Sequence, residues 1–218
     1  MRIYIRHAEK KYINGQSDTY CHDPDITEDG IIRARRTSLK LVKAYGIPKM
    51  IICSPYLRTR HTAEQMKLML SETHKADVEI RVDVNISEYL GNHADKSLDV
   101  HPETLDYHPP HPENIHGLHH RVRLHNDDMI SLDDTREVYW FVTHGIVINQ
   151  IANILGYTNR RKIYNLGIMV VQKNHNGSYF CKFLFYDEGV GKRFGRNRRV
   201  RSNVQAELRR DLQVVDAI

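Results

Sequence analysis

The stretch RIYIRHAEK, residues 2–10, decides the fold. Its first five positions set two isoleucines and a tyrosine between arginines, a composition that reads as a strand. The strand runs directly into Arg6-His7, a cation and an imidazole side by side where strand gives way to loop. A solvated strand end carries such a pair without consequence. Whether other strands end the same way settles which it is.

Working outward, short apolar runs alternate with helical patterns. Strands are predicted at Arg2–Ile5, Met50–Cys53, Val78–Val82 and Val138–Thr143. Two more, Ile168–Lys173 and Ser178–Tyr186, flank Asn174-His175-Asn176-Gly177, a hairpin turn signal. The first helix is predicted from Thr27, an N-cap followed by Glu28 and Asp29, with Ile31, Ala34, Leu41 and Val42 inward and Gly46 as its stop. A second runs over Arg58–Leu70 with Ala63, Met66 and Leu70 on one side, and a third over Gly145–Leu155. This alternation predicts an α/β fold, a three-layer sandwich whose mixed, mainly parallel central sheet is flanked by helices. Gly91–Pro112 lacks periodicity and reads as an excursion over the sheet edge.

The 218 residues are 40% hydrophobic and 27% charged, ordinary for a globular chain. We expect one catalytic domain over 1–190, with a histidine-rich excursion over 91–126, and a C-terminal extension over 191–218. No apolar run reaches the roughly 20 residues of a membrane span. The strand-like start leaves no room for an apolar signal region, and Cys21, Cys53 and Cys181 are scattered, so a cytoplasmic, reducing location is expected. The net charge of +5 belongs to the extension, where eight Lys/Arg stand against three acids.

Four segments place chemically capable side chains where a strand ends: Arg6 and His7, Arg58 in SPYLRTRHTA, Glu88 in VNISEYL, and His144 in FVTHG. In open α/β sheets such ends converge on one crevice. Two arginines, two histidines and a carboxylate form the inventory a phosphoryl group needs, with guanidinium forks for its oxygens, an imidazole nucleophile and an acid for the leaving group.

These motifs carry a resemblance. IYIRHAEK, DPDITEDGIIRARRTSLKL, SPYLRTRHTA, HPENIHGLHHRV and VTHG resemble, in order over about 1–156, the signature segments of the histidine phosphatase superfamily, the phosphoglycerate-mutase-like fold. The resemblance implies that His7 is a nucleophile forming a phosphohistidine and that Arg6, Arg58 and His144 hold the phosphoryl oxygens. It further implies that Glu88 is the general acid and then the base, and that no metal or cofactor is required; Glu9, near the nucleophile, and Asp83 are the alternative acids the sequence offers. The mutase branch carries Ser or Thr at Lys10 and Asn at Ile13, so the pattern here points to the phosphatase branch, with Lys10 at the pocket mouth. The predicted activity is hydrolysis of a phosphomonoester.

Cys53 has four residues before Arg58 and six before Arg60, neither the five of a cysteine-phosphatase loop, and reads as a buried strand cysteine. Eight of the fourteen histidines fall in 93–125, and His116 and His120 have metal-capable i,i+4 spacing without a third ligand, so a solvated histidine-rich segment is expected. Residues 192–201 carry six basic side chains and no acid, a stretch suited to nucleic acid or another acidic partner. Val204, Leu208, Leu212 and Val215 form one helical stripe that would dock on the body or on a second copy. The alternative function is thus a nucleic-acid- or assembly-binding protein using the fold and the basic tail.

Overall fold

Ile3, Tyr4 and Ile5 are all fully buried, so strand β1 (Arg2–Arg6) is covered on both faces and stands inside the sheet. The computed structural model describes residues 1–11, 23–91, 107, 110, 112–134, 137–159 and 162–184. After β1 come α1 (Glu28–Tyr45), β2 (Met50–Cys53), α2 (Leu57–His74), β3 (Glu79–Val82), α3 (Ile115–Asp128), β4 (Tyr139–Thr143), α4 (Gly145–Ile154), β5 (Ile168–Lys173) and β6 (Tyr179–Leu184). The strands form one sheet in the order β3-β2-β4-β1-β5-β6. The first four are parallel to one another, while β5 and β6 add an antiparallel hairpin. This is the predicted mixed, mainly parallel sheet.

The period of two along each strand divides the core. Ile3 and Ile5, Ile51, and Trp140 and Val142 face Ala34 and Leu41 of α1 and Ala63, Met66 and Leu70 of α2. Tyr4, Ile52, and Tyr139 and Phe141 face Leu118 and Val122 of α3 and Val147, Ile148 and Ile151 of α4. Three layers result. Trp140 is the largest fully buried side chain, and removing an aromatic of that size from a core costs about 3–5 kcal/mol.

Local signals explain the boundaries. Thr27 caps α1 through Gly30 N–H, and Gly46 closes it at φ 88°, where a side chain would be strained. The buried stripe of α1 is Gly30, Ala34, Ser38 and Leu41, shifted toward small residues from the predicted Ile31 and Val42, which are half-buried. The shift has a steric cause, since a Cβ on Gly30 would stand 3.0 Å from the Glu9 carbonyl oxygen. Helix α2 outruns its predicted end at Leu70 because its last turn meets no glycine or proline, and it closes on Lys75 in a left-handed conformation.

Met1–Tyr186 forms one compact unit. The basic stretch 192–201, the apolar stripe over 204–215, and Ile13 lie outside the described residues, as does much of the 91–112 excursion. Among the described residues no helix is long and apolar enough to cross a membrane.

Candidate active site

Parallel pairing delivers the C-terminal ends of four strands to one rim. His7 N–H donates to Thr143 O (2.9 Å), Ser54 N–H to Val142 O (3.0 Å), and Asp83 N–H to Cys53 O (2.9 Å). The residues following β1, β2, β3 and β4 therefore leave the sheet side by side, at the position where open α/β sheets bind ligands.

His7 is 3% exposed. Its Nδ1 lies 2.7 Å from the Ala8 carbonyl oxygen, so Nδ1 carries the proton and Nε2 keeps its lone pair. Burial, and then the proximity of Arg58, His144 and Arg6, hold its pKa well below the usual histidine range, against the opposing pull of the Ala8 carbonyl. The ring is neutral at neutral pH. Thr62, from α2, fixes the loop by accepting from Ala8 N–H at 3.0 Å.

Arg58 opens α2 and is 6% exposed. It reaches Asp23 Oδ1 and Glu88 Oε2, both at 3.2 Å, and stacks over Tyr56 at 4.4 Å. Asp23 also accepts from Leu57 N–H at 2.6 Å, capping a helix whose own N-cap, Tyr56, supplies no side-chain bond. Glu88 Oε2 accepts a second bond from His144 Nδ1 at 3.0 Å. His144 Nε2 meets Ser54 Oγ at 2.8 Å, so a neutral ring donates to Glu88 and accepts from Ser54. Burial pushes His144 down to about 4; Glu88 pulls upward and Arg58 downward. Burial pushes the Glu88 carboxyl up, but His144, Arg58 and His7 together outweigh it and hold the carboxyl well below the usual carboxylate range. The rings of His7 and His144 lie 5.4 Å apart.

Arg6 donates to Ile163 O at 2.6 Å, and its side chain passes against Gly145 at the start of α4. His7, Glu88 and His144 each bring one donor atom within 4.8 Å of the others, a set able to hold a divalent cation. Arg58 and Arg6 beside it make an anion the better occupant.

The other candidates stand apart. Glu9 is exposed with its carboxylate 3.5 Å from Thr27 Oγ1, and Asp83 is bound to His125 Nδ1 at 2.6 Å and to Asn85 N–H at 2.8 Å. Lys10 pairs its backbone with Ile26. Cys53 is buried in β2 with its thiol pushed up to about 12 by burial. His116, His119 and His120 are exposed on α3, whereas His125 of the same segment is fully buried against Asp83 and Tyr4. The solvated reading of the histidine-rich segment therefore fails at His125, which falls on the inward face of α3. Sequence reasoning missed Asp23 and Ser54 as partners of Arg58 and His144. The signal for them was their place as the first residues of the quoted segments DPDITEDGIIRARRTSLKL and SPYLRTRHTA.

No curated protein sequence matches this chain significantly. Solved structures do. Bacillus stearothermophilus YhfR superposes with a TM-score of 0.63 at 17% identity, covering 84% of this chain and 95% of its own. A mycobacterial glucosyl-3-phosphoglycerate phosphatase gives 0.61 at 17%, covering 86% and 98%. A phosphoserine phosphatase from Entamoeba histolytica, in complex with 3-phosphoglyceric acid, gives 0.61 at 18%, covering 85% and 97%. At such identities these likenesses show the fold. The model of the histidine phosphatase superfamily (branch 1) matches residues 3–181, nearly the whole of the described body, and the chain belongs to that superfamily.

Proposed function

We propose that this chain hydrolyses phosphomonoesters through a phosphohistidine on His7. The observation that carries the reading is a buried, neutral His7 whose Nδ1 proton is tied to Ala8 O, beside Arg58 and Glu88. Nε2 attacks phosphorus as the ester P–O bond breaks, and the departing alcohol oxygen takes the proton of the Glu88 carboxyl. Water then attacks the phosphohistidine, Glu88 removes its proton, the N–P bond breaks and phosphate leaves. Arg6, Arg58 and His144 hold the phosphoryl oxygens; positioning and charge neutralisation supply most of the acceleration in such transfers.

Glu88 is ionised in the free protein, yet the first step needs it protonated. The geometry supports a solution. A phosphoryl oxygen that engages Arg58 and His144 competes for the two donors Glu88 uses, at 3.2 and 3.0 Å. Displaced beside a dianion, the carboxyl gains proton affinity, so binding loads the acid. A cytoplasmic location fits the free, buried Cys53 and Cys181.

The test is a screen over sugar phosphates, nucleotides, phosphoproteins, phosphohistidine and p-nitrophenyl phosphate, with rapid quenching of labelled substrate. The expected result is an acid-labile, base-stable label on the wild type. In His7→Ala the label is absent and turnover falls about 10³-fold or more. Undiminished turnover in His7→Ala sinks the mechanism.

A further inference from the structure

Glu88 stands on a loop, after a single 3-10 turn (Val84–Ile86) and without helix or strand of its own. A carboxyl on such a segment is ordinarily mobile. Yet Glu88 Oε2 is placed within hydrogen-bond reach of both Arg58 and His144. What fixes it lies behind the loop.

Arg121 on α3 and Glu113 just before that helix are 9% and 4% exposed. A guanidinium has five N–H groups, and here all five are used. Nε donates to Glu113 Oε1 at 2.6 Å, and Nη2 to Glu113 Oε2 at 2.9 Å and Glu88 O at 3.3 Å. Nη1 donates to Asn85 O at 2.8 Å and Ser87 O at 2.9 Å. Glu113 then closes the far side, its own N–H donating to Leu90 O at 2.6 Å. The backbone is thus gripped at 85, 87 and 88 by one side chain and at 90 by its partner. A buried ion pair is a weak device for stability, since apolar residues of equal volume serve as well. Its fork geometry is a strong device for direction. Three carbonyls of one loop converging on one guanidinium is a pattern that holds a backbone.

We propose that Arg121, locked by Glu113, is the positioning residue that sets where the Glu88 carboxyl stands. The inference rests on the reading of Glu88 as general acid. Arg121 itself touches no reacting atom; it acts through the carbonyls of the loop.

The experiment compares two substrates on four proteins. p-Nitrophenyl phosphate has a leaving group that departs without a proton, whereas a simple alkyl phosphate needs the acid. Wild type, Glu88→Gln, Arg121→Lys and Glu113→Gln are measured for kcat/KM on both, with orthovanadate affinity and thermal midpoint as controls. Lysine keeps the charge of Arg121 but offers three donors on a point charge, and cannot grip five acceptors. In Arg121→Lys and Glu113→Gln the alkyl-to-aryl ratio falls about tenfold or more, as for a misplaced catalytic group, while vanadate affinity is kept or rises. An equal loss on both substrates, a parallel loss of vanadate affinity, or an unchanged ratio in a folded variant overturns the proposal. Glu88→Gln separates the two readings. If it too leaves the ratio unchanged, the acid assignment is wrong; if it alone lowers the ratio, the acid stands and the clamp is wrong.

Discussion

Strand β1 carries an arginine at each end, and the two ends make different use of the same chemical kit. At its start Arg2 is fully buried, donating to Asn126 Oδ1 at 2.9 Å and to Asp133 Oδ2 at 2.8 Å. Tyr179 OH also donates to Asp133 at 2.8 Å, and Tyr4 links the group to His125 and Asp83. Arginine, histidine, carboxylate and phenol each have a partner within the group, although Arg2 Nε is left without one. At the strand's other end Arg6, His7, Arg58, Glu88 and His144, with Tyr56 stacked on Arg58, repeat that list. There Glu88 is a quarter exposed and holds the donors for which, on the proposed mechanism, a phosphoryl oxygen competes. A buried charge cluster is a staple when its anions are built in, and becomes a site when one anion can be exchanged.

The largest test of that contrast is Glu88→Gln, which removes the exchangeable anion. Orthophosphate and vanadate should bind about tenfold more tightly, because a like charge no longer competes for Arg58 and His144. Turnover of alkyl phosphates should fall about 10²–10⁴-fold, the usual contribution of a general acid. Isothermal titration and steady-state kinetics check both halves. Unchanged or weaker anion binding breaks the idea of exchange.

Asp133→Ala attacks the built-in anion. It leaves Arg2 buried without its carboxylate and should cost about 3–5 kcal/mol of stability. Denaturant unfolding measures the loss. The contrast sharpens if kcat, assayed well below the lowered midpoint, stays within about twofold of wild type, and breaks if kcat falls in step with stability.

The smallest expected effect is on pH. His144 is held at about 4 in the folded chain against an ordinary 6.5, so the unfolded state binds the extra proton between those values. Stability is therefore retained above about 6.5 and lost as pH falls toward 4, on the order of 3 kcal/mol. Thermal midpoints from pH 7 to 4 should decline accordingly. In His144→Asn the slope over that window should lessen, leaving the part that His7 contributes. An equal slope in the variant would place the sensitivity elsewhere.

Much of this was legible in the sequence, and the reason is local. Strands and helices announce themselves by periods of two and 3.6 and by caps such as Thr27 and Gly46. Arg6, His7, Arg58 and His144 sit at strand or helix boundaries that those periods mark. What was not legible depends on residues distant in the chain. Asp23 meets Arg58 across 35 positions, and Arg2 meets Asn126 and Asp133 across 124 and 131. No periodicity announces such partners. His125 read as one histidine among many, and nothing in the sequence singled out Arg2, because only the packed structure turns them inward. Glu113 and Arg121 lay in a segment whose resemblance was visible while their grip on the Glu88 loop was not.

The register of β1 against β4 sets Arg6 opposite Thr143, and so His7 beside His144. A slip of one residue would turn His7 to the opposite face of the sheet. The two imidazoles come from chain segments far apart, joined by parallel pairing, which is slow to form because its loops must close first. A refolding chain therefore recovers turnover in the same kinetic phase that completes its central strands. Regained turnover would then serve as a report that the sheet has closed in register.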